Sequence, residues 1–185
     1  MMGKQSVRSL WLINGAFVAL MGCANAGPVP TAEVLTQENL SEPDTVSEWL
    51  RKHPGGLEKK EAAFSYGEGL KYKSNKDWSA AAKSFGESAI RYPSPQVLTE
   101  YVTASLRMLG EIRARRGDTT LGVDRDMDYA LLQYRSVMAA DSVLDTLSER
   151  EKMQVEANIA CLSDYLRTRQ IPAGCQPFEY YGMRP

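Results

Sequence analysis

Apolar side chains recur every three or four positions through most of this chain, and each run stops at a turn signal. Val46 to Lys52 places Trp49 and Leu50 on a short helix that ends at His53-Pro54-Gly55-Gly56. Leu57 to Ser74 carries Ala62, Ala63, Tyr66 and Leu70 at helical spacing, with Lys59, Lys60, Glu61 and Lys71 around the rest of the turn. Asp77 to Arg91 repeats the pattern with Trp78, Ala81, Ala82, Phe85 and Ala89, and Tyr92-Pro93 stops it. Ser94 as N-cap and Pro95 at the first helical position open the next helix, whose stripe is Val97, Leu98, Tyr101, Ala104, Met108 and Ile112. Its basic end, Arg113, Arg115 and Arg116, suits a helix C-terminus. Gly117 to Val123 has turn residues without a period and reads as a loop. A helix from about Asp124 to Ala140 follows, and a last long one runs from the capping box Ser148-Glu149-Arg150-Glu151 to about Arg169. Sustained strand alternation is absent, so the pattern predicts an all-α domain.

The first 22 residues read differently. Lys4 and Arg8 precede an apolar run from Leu10 to Met21, and small residues follow, which is the layout of an export signal. Leu20-Met21-Gly22-Cys23 resembles the lipobox at which bacterial lipoproteins are cut and acylated, with Met21 where a smaller residue is usual. That resemblance implies a lipidated Cys23 and a membrane-surface anchor, since several acyl chains together exceed the marginal hold of one. Ala24 after it resembles the sorting pattern for the outer membrane, so the expected location is lipid-anchored there and facing the periplasm. Cleavage after Ala24-Asn25-Ala26 is the alternative and gives a soluble periplasmic protein. The Ala-, Pro-, Thr-, Glu- and Ser-rich stretch from residue 23 to 44 has no period and is expected to be a flexible tether, with the folded domain spanning 45–185.

Composition narrows the classes. Without residues 1–22, 20 basic residues face 23 acidic ones, so no basic excess invites nucleic acid. The remaining length supports one domain with its own core. Cys161 and Cys175 are left over after either cleavage, and in an oxidising compartment they pair most economically with each other. The loop of 13 intervening residues makes that bond worth on the order of 3 kcal/mol in the chain-entropy picture.

Short paired helices invite a search for a repeat, because one pair alone cannot bury its apolar face. Between Ala62 and Pro95, the residues Gly69, Tyr72, Asp77, Trp78, Ala81, Phe85 and Pro93 fall at the offsets of a 34-residue unit, and the segment resembles a tetratricopeptide repeat. Gly69 and Ala81 are small where the two helices cross, Trp78 and Phe85 fill the space around them, and Ser88 stands where the family usually has Ala. A second unit in phase from Gln96 is degenerate, with Thr103 replacing the glycine, and the helix from Ser148 resembles a capping helix over the open end. The resemblance implies a short stack of helical hairpins whose first helices line a groove for a protein partner. Its groove positions carry over to Tyr66, Leu70 and Lys73, then Glu100, Ala104 and Arg107. Gly67 and Tyr101 stand where some members place a carboxylate-clamping Asn.

Catalytic patterns are missing. His53 is the single histidine, so imidazole chemistry has no partner imidazole, and neither a Gly-rich phosphate loop nor a nucleophile elbow is present. Asp124, Asp126 and Asp128 alternate like the start of a calcium loop, but Tyr129 takes the glycine position and Arg135 the position of the bidentate acid. Arg116-Gly117-Asp118 is explained by a helix end. The expectation is a non-catalytic protein without cofactor or metal, an envelope adaptor supporting a pilus, secretion or outer-membrane complex. An immunity protein that blocks a toxin is the alternative, and a cell-wall-binding accessory ranks third.

Overall fold

The computed structural model describes residues 34–54, 56, 58–117 and 122–183. The signal segment 1–22, Cys23, the first part of the tether and residues 118–121 lie outside the described residues. Seven α-helices form the described part, without a strand among those residues: α1 (Pro43–Lys52), α2 (Lys59–Ser74), α3 (Trp78–Arg91), α4 (Pro95–Arg116), α5 (Val123–Leu144), α6 (Glu149–Thr168) and α7 (Gln176–Tyr180). The all-α expectation holds, and the caps read from the sequence at Ser94 and Ser148 are in place, with Asp77 as a further one. Asp77 accepts from the Ala80 N–H at the start of α3, and Ser94 accepts from the Val97 N–H at the start of α4. Ser148 and Glu151 close a reciprocal capping box on α6.

Connections of a few residues reverse the chain between successive helices, so α2 packs on α3, α3 on α4, α4 on α5 and α5 on α6. At the first crossing, a Cβ built on Gly69 would sit 2.5 Å from the Phe85 ring, so only hydrogen fits between α2 and α3 there. Ser88, wholly buried on α3, donates its hydroxyl to the Ala62 carbonyl at 2.8 Å and so joins the same two helices by a polar contact that alanine lacks. The core runs as one cluster from Leu40, Val46 and Leu50 through Phe85, Val102, Met127 and Val137 to Leu162. Asp141 is buried at the α5–α6 corner, where it accepts from the Thr146 and Leu147 N–H groups and pairs with Lys152.

Two segments depart from expectation. The tether is not flexible as far as residue 44. Leu35 and Leu40 are buried, the Leu35 N–H donates to the Ile90 carbonyl at 2.9 Å, and Glu38–Ser41 form a 3-10 turn that packs with α1 against α5. Composition averaged over the stretch hid two leucines that seat on the core, so the packed part begins some ten residues before position 45. Pro43 at the first turn starts α1 ahead of Val46.

The second departure is the C-terminal segment, which is more than a pinned tail. The sulfurs of Cys161 and Cys175 lie 2.07 Å apart, at bonding distance, and α7 follows at once. Phe178 packs edge-on against Tyr165 of α6, while the Tyr181 hydroxyl donates to Asp126 and its ring lies under the Arg113 guanidinium. A Cβ on Gly110 would fall 2.6 Å from the Tyr181 carbonyl oxygen, so this glycine of α4 admits the backbone of the segment.

Candidate binding groove

Helices α2, α4 and α6 run in the same direction and share one face of the stack. Their N-terminal halves surround a cavity of about 220 Å³, which takes Tyr66 from α2, Gln96, Thr99, Glu100 and Thr103 from α4, and Glu151, Gln154, Val155 and Asn158 from α6. Gln176 and Tyr180 of α7, Tyr134 of α5 and Leu147 from the turn before α6 complete the wall. A wider depression of about 470 Å³, with Ala62, Ala63, Tyr92 and Val97 among its lining, adjoins it and shares Tyr66 and Gln96.

The spacing of the polar residues explains why they converge. Gln96, Thr99, Glu100, Thr103 and Arg107 follow the three- and four-residue steps of one helix face, opposite the buried Val97, Leu98, Tyr101 and Val102. Glu151, Gln154, Val155 and Asn158 do the same on α6. The periodicity that locates the core therefore also locates this second stripe, and a search for polar residues at helical steps would have found Gln96, Thr103, Gln154 and Asn158.

The six groove positions assigned by register divide into three groups. Tyr66 and Glu100 line the cavity. Tyr66 also packs on Phe85, with ring centroids 5.6 Å apart, and burial followed by the nearby Glu100 charge raises its hydroxyl pKa. Leu70 is exposed on α2 and stands outside the cavity lining. The other three are engaged within the molecule. Lys73 Nζ donates to both Glu100 oxygens at 2.7 Å, tying α2 to α4. Ala104 is 1% exposed and belongs to the core, which corrects its assignment as a contact residue. Arg107 places its guanidinium 4.7 Å from the ring centroids of both Trp78 and Tyr180, so α3 and α7 clamp it from two sides. Helical phase along α4 carries no information about α7, which lies on that helix.

Tyr134 is the most deeply set member of the lining. It is 1% exposed, and the side chains of Thr103 and Asn158 are the polar groups that face its hydroxyl. Burial, followed by the effect of Tyr180, raises its pKa, so the hydroxyl stays protonated throughout the physiological range. Lys, Arg and His do not contribute to this cavity's lining. Among the described residues, no group of three or more His, Cys, Asp or Glu side chains is placed to hold a metal ion, and no helix is long and apolar enough to cross a membrane.

No family model, curated protein or solved structure matches the chain. The class is therefore defined by architecture, an all-α stack of antiparallel helices with a cavity of mixed polarity on the face shared by α2, α4 and α6.

Proposed function

We propose that the protein is a non-catalytic adaptor of the bacterial envelope, held on the outer membrane by acyl chains on Cys23, which binds a protein partner through the groove of a tetratricopeptide-like stack. It supports assembly of a larger envelope complex such as a pilus, secretion or outer-membrane machine. The observation that carries this reading is the pair of adjoining depressions, one mixed in polarity and one mainly apolar, on the face where alternate helices of such a stack receive their ligands. The close crossing of Gly69 with Phe85 supports the repeat register from which that face was chosen.

Photo-crosslinking in intact cells tests it. A photoreactive residue at Gln154, in the groove, is expected to capture a discrete envelope protein, while the same residue at Glu87 on α3 is not. Equal capture from both positions, or none from Gln154, overturns the groove reading. Capture of a single secreted toxin in place of a machine component selects the immunity function. For the anchor, Cys23→Ser is expected to move the protein into the soluble periplasmic fraction, and unchanged fractionation removes the lipid from the proposal.

A further inference from the structure

In the series α2 to α6, the outer sides of the first and last helices are uncovered. On α2, Lys60, Phe64, Gly67 and Lys71 follow one another at steps of four, three and four. All are exposed, on the side of the helix away from the buried Ala62 and Gly69. On α6, Glu149, Met153, Glu156 and Ala160 repeat those steps and are exposed too, away from the buried Val155, Asn158 and Leu162. Phe64 and Met153, at 73% and 61%, are the two most exposed large apolar side chains among the described residues. In a stack of helices each layer covers the apolar side of the next, and a closed end turns a polar face outward. These two ends instead each display a large apolar residue.

The two ridges are complementary in charge. Lysines bracket Phe64 on α2, and glutamates bracket Met153 on α6. Lys71 approaches Glu68 only to 3.9 Å and Glu149 approaches Lys152 only to 3.9 Å, while neither Lys60 nor Glu156 takes part in an ion pair among the described residues. Because the steps agree, laying α2 of one copy along α6 of another in the same direction brings Lys60 to Glu149 and Phe64 to Met153 together. A Cβ on Gly67 would meet nothing within 4 Å, so this position leaves room for Glu156 to turn towards Lys71. A thioether packs well on an aromatic ring, and charges beside an apolar seam select the partner and its direction. Pairing either ridge with its own copy brings like charges together instead.

We propose that the protein associates with itself head to tail, the α2 ridge of one copy seated on the α6 ridge of the next. The two surfaces differ, so every copy in contact still has a free ridge, and the contact builds an open row instead of a closed dimer. A single helix ridge covers less than the roughly 800 Å² per partner of a standard interface, so association is weak and grows with local concentration. Neither the groove nor Cys23 takes part in the contact, which therefore holds whether or not the partner and the anchor are as proposed above.

Sedimentation velocity of the full chain in density-matched detergent tests it. The unaltered protein is expected to pass from monomer to dimers and longer species as its concentration rises, and to return towards monomer at about 1 M salt, where the screening length is about 3 Å. Phe64→Asp and Met153→Asp are each expected to weaken association at least about tenfold. Their melting temperatures should stay unchanged, because both side chains are exposed. In an equimolar mixture of the two variants, the intact α6 ridge of the first meets the intact α2 ridge of the second, so dimers form that cannot extend. Unaltered protein that stays monomeric at millimolar concentration overturns the inference, as does a mixture that stays monomeric or grows past the dimer. Loss with only one of the two substitutions also overturns it, because α2 and α6 would then have different occupants.

Discussion

Helices α2 and α5 stand at opposite extremes of the same stack. α2 buries only Ala62 and Gly69, packs chiefly on α3, and leaves Phe64 73% exposed. α5 buries ten residues and is covered by α1, α4, α6 and the 3-10 turn. Yet the resemblance to a repeat read from the sequence is clearest in the α2–α3 hairpin and weakest around α5. The difference shows that pattern and burial report separate things. Gly69 records how closely the Phe85 ring approaches the backbone of α2, while the stability of the centre comes from an ordinary aliphatic and aromatic stripe that many sequences could supply.

Substitutions in the two helices can break that contrast. Met127→Ala, in the wholly buried part of α5, is expected to cost about 3 kcal/mol in chemical denaturation, because the surrounding helices cannot all collapse into the space. A loss below ~1 kcal/mol would remove α5 from the centre of the molecule. Gly69→Leu is expected to cost ~2 kcal/mol or more by forcing α2 off the Phe85 ring, and an unchanged melting temperature would count against the register.

A smaller and pH-dependent effect is expected at the start of α6. The Ser148 hydroxyl and N–H hold the Glu151 carboxylate below its ordinary value of 4.5, so its stabilising effect is fully present above that pH. The effect is lost as pH falls through the depressed folded value, because the protonated acid no longer gains from the cap. Thermal melts of Glu151→Gln and the unaltered protein should therefore differ at neutral pH and converge in acid. A difference that persists or grows at low pH would refute this origin. Phe64→Ser, on the open side of α2, is expected to change stability by no more than about 0.5 kcal/mol, and a larger loss would mean that this face is covered.

Much of the architecture was legible because its signals are local. Ser94-Pro95, the capping box at Ser148 and the stop at Tyr92-Pro93 each act within one turn of helix, and the paired cysteines needed only a count and a compartment. The ordering of residues 35–44 was not legible, because Leu35 and Leu40 gain their burial from α3 and α5 and show no period of their own. The groove was legible in outline, through Tyr66 and Glu100, but its division was not. Trp78, Arg107 and Tyr180 meet from three remote parts of the chain, and no spacing rule connects them. Ala104 was misplaced for a related reason. It lies one position past Thr103 at the margin between the polar stripe of α4 and its apolar stripe, where helical phase alone cannot separate wall from core.

Gly110 has an importance out of proportion to its size. The atoms a Cβ there would strike belong to the main chain of Tyr181, at 2.6 to 3.1 Å, so they cannot swing aside as a flexible side-chain tip would. A lone methyl group at that position would act as a wedge, prising the final turn from α4 and lifting the Tyr180 lid off Arg107. The length of the trough is thus governed from behind, by a hydrogen atom on a residue outside the cavity wall.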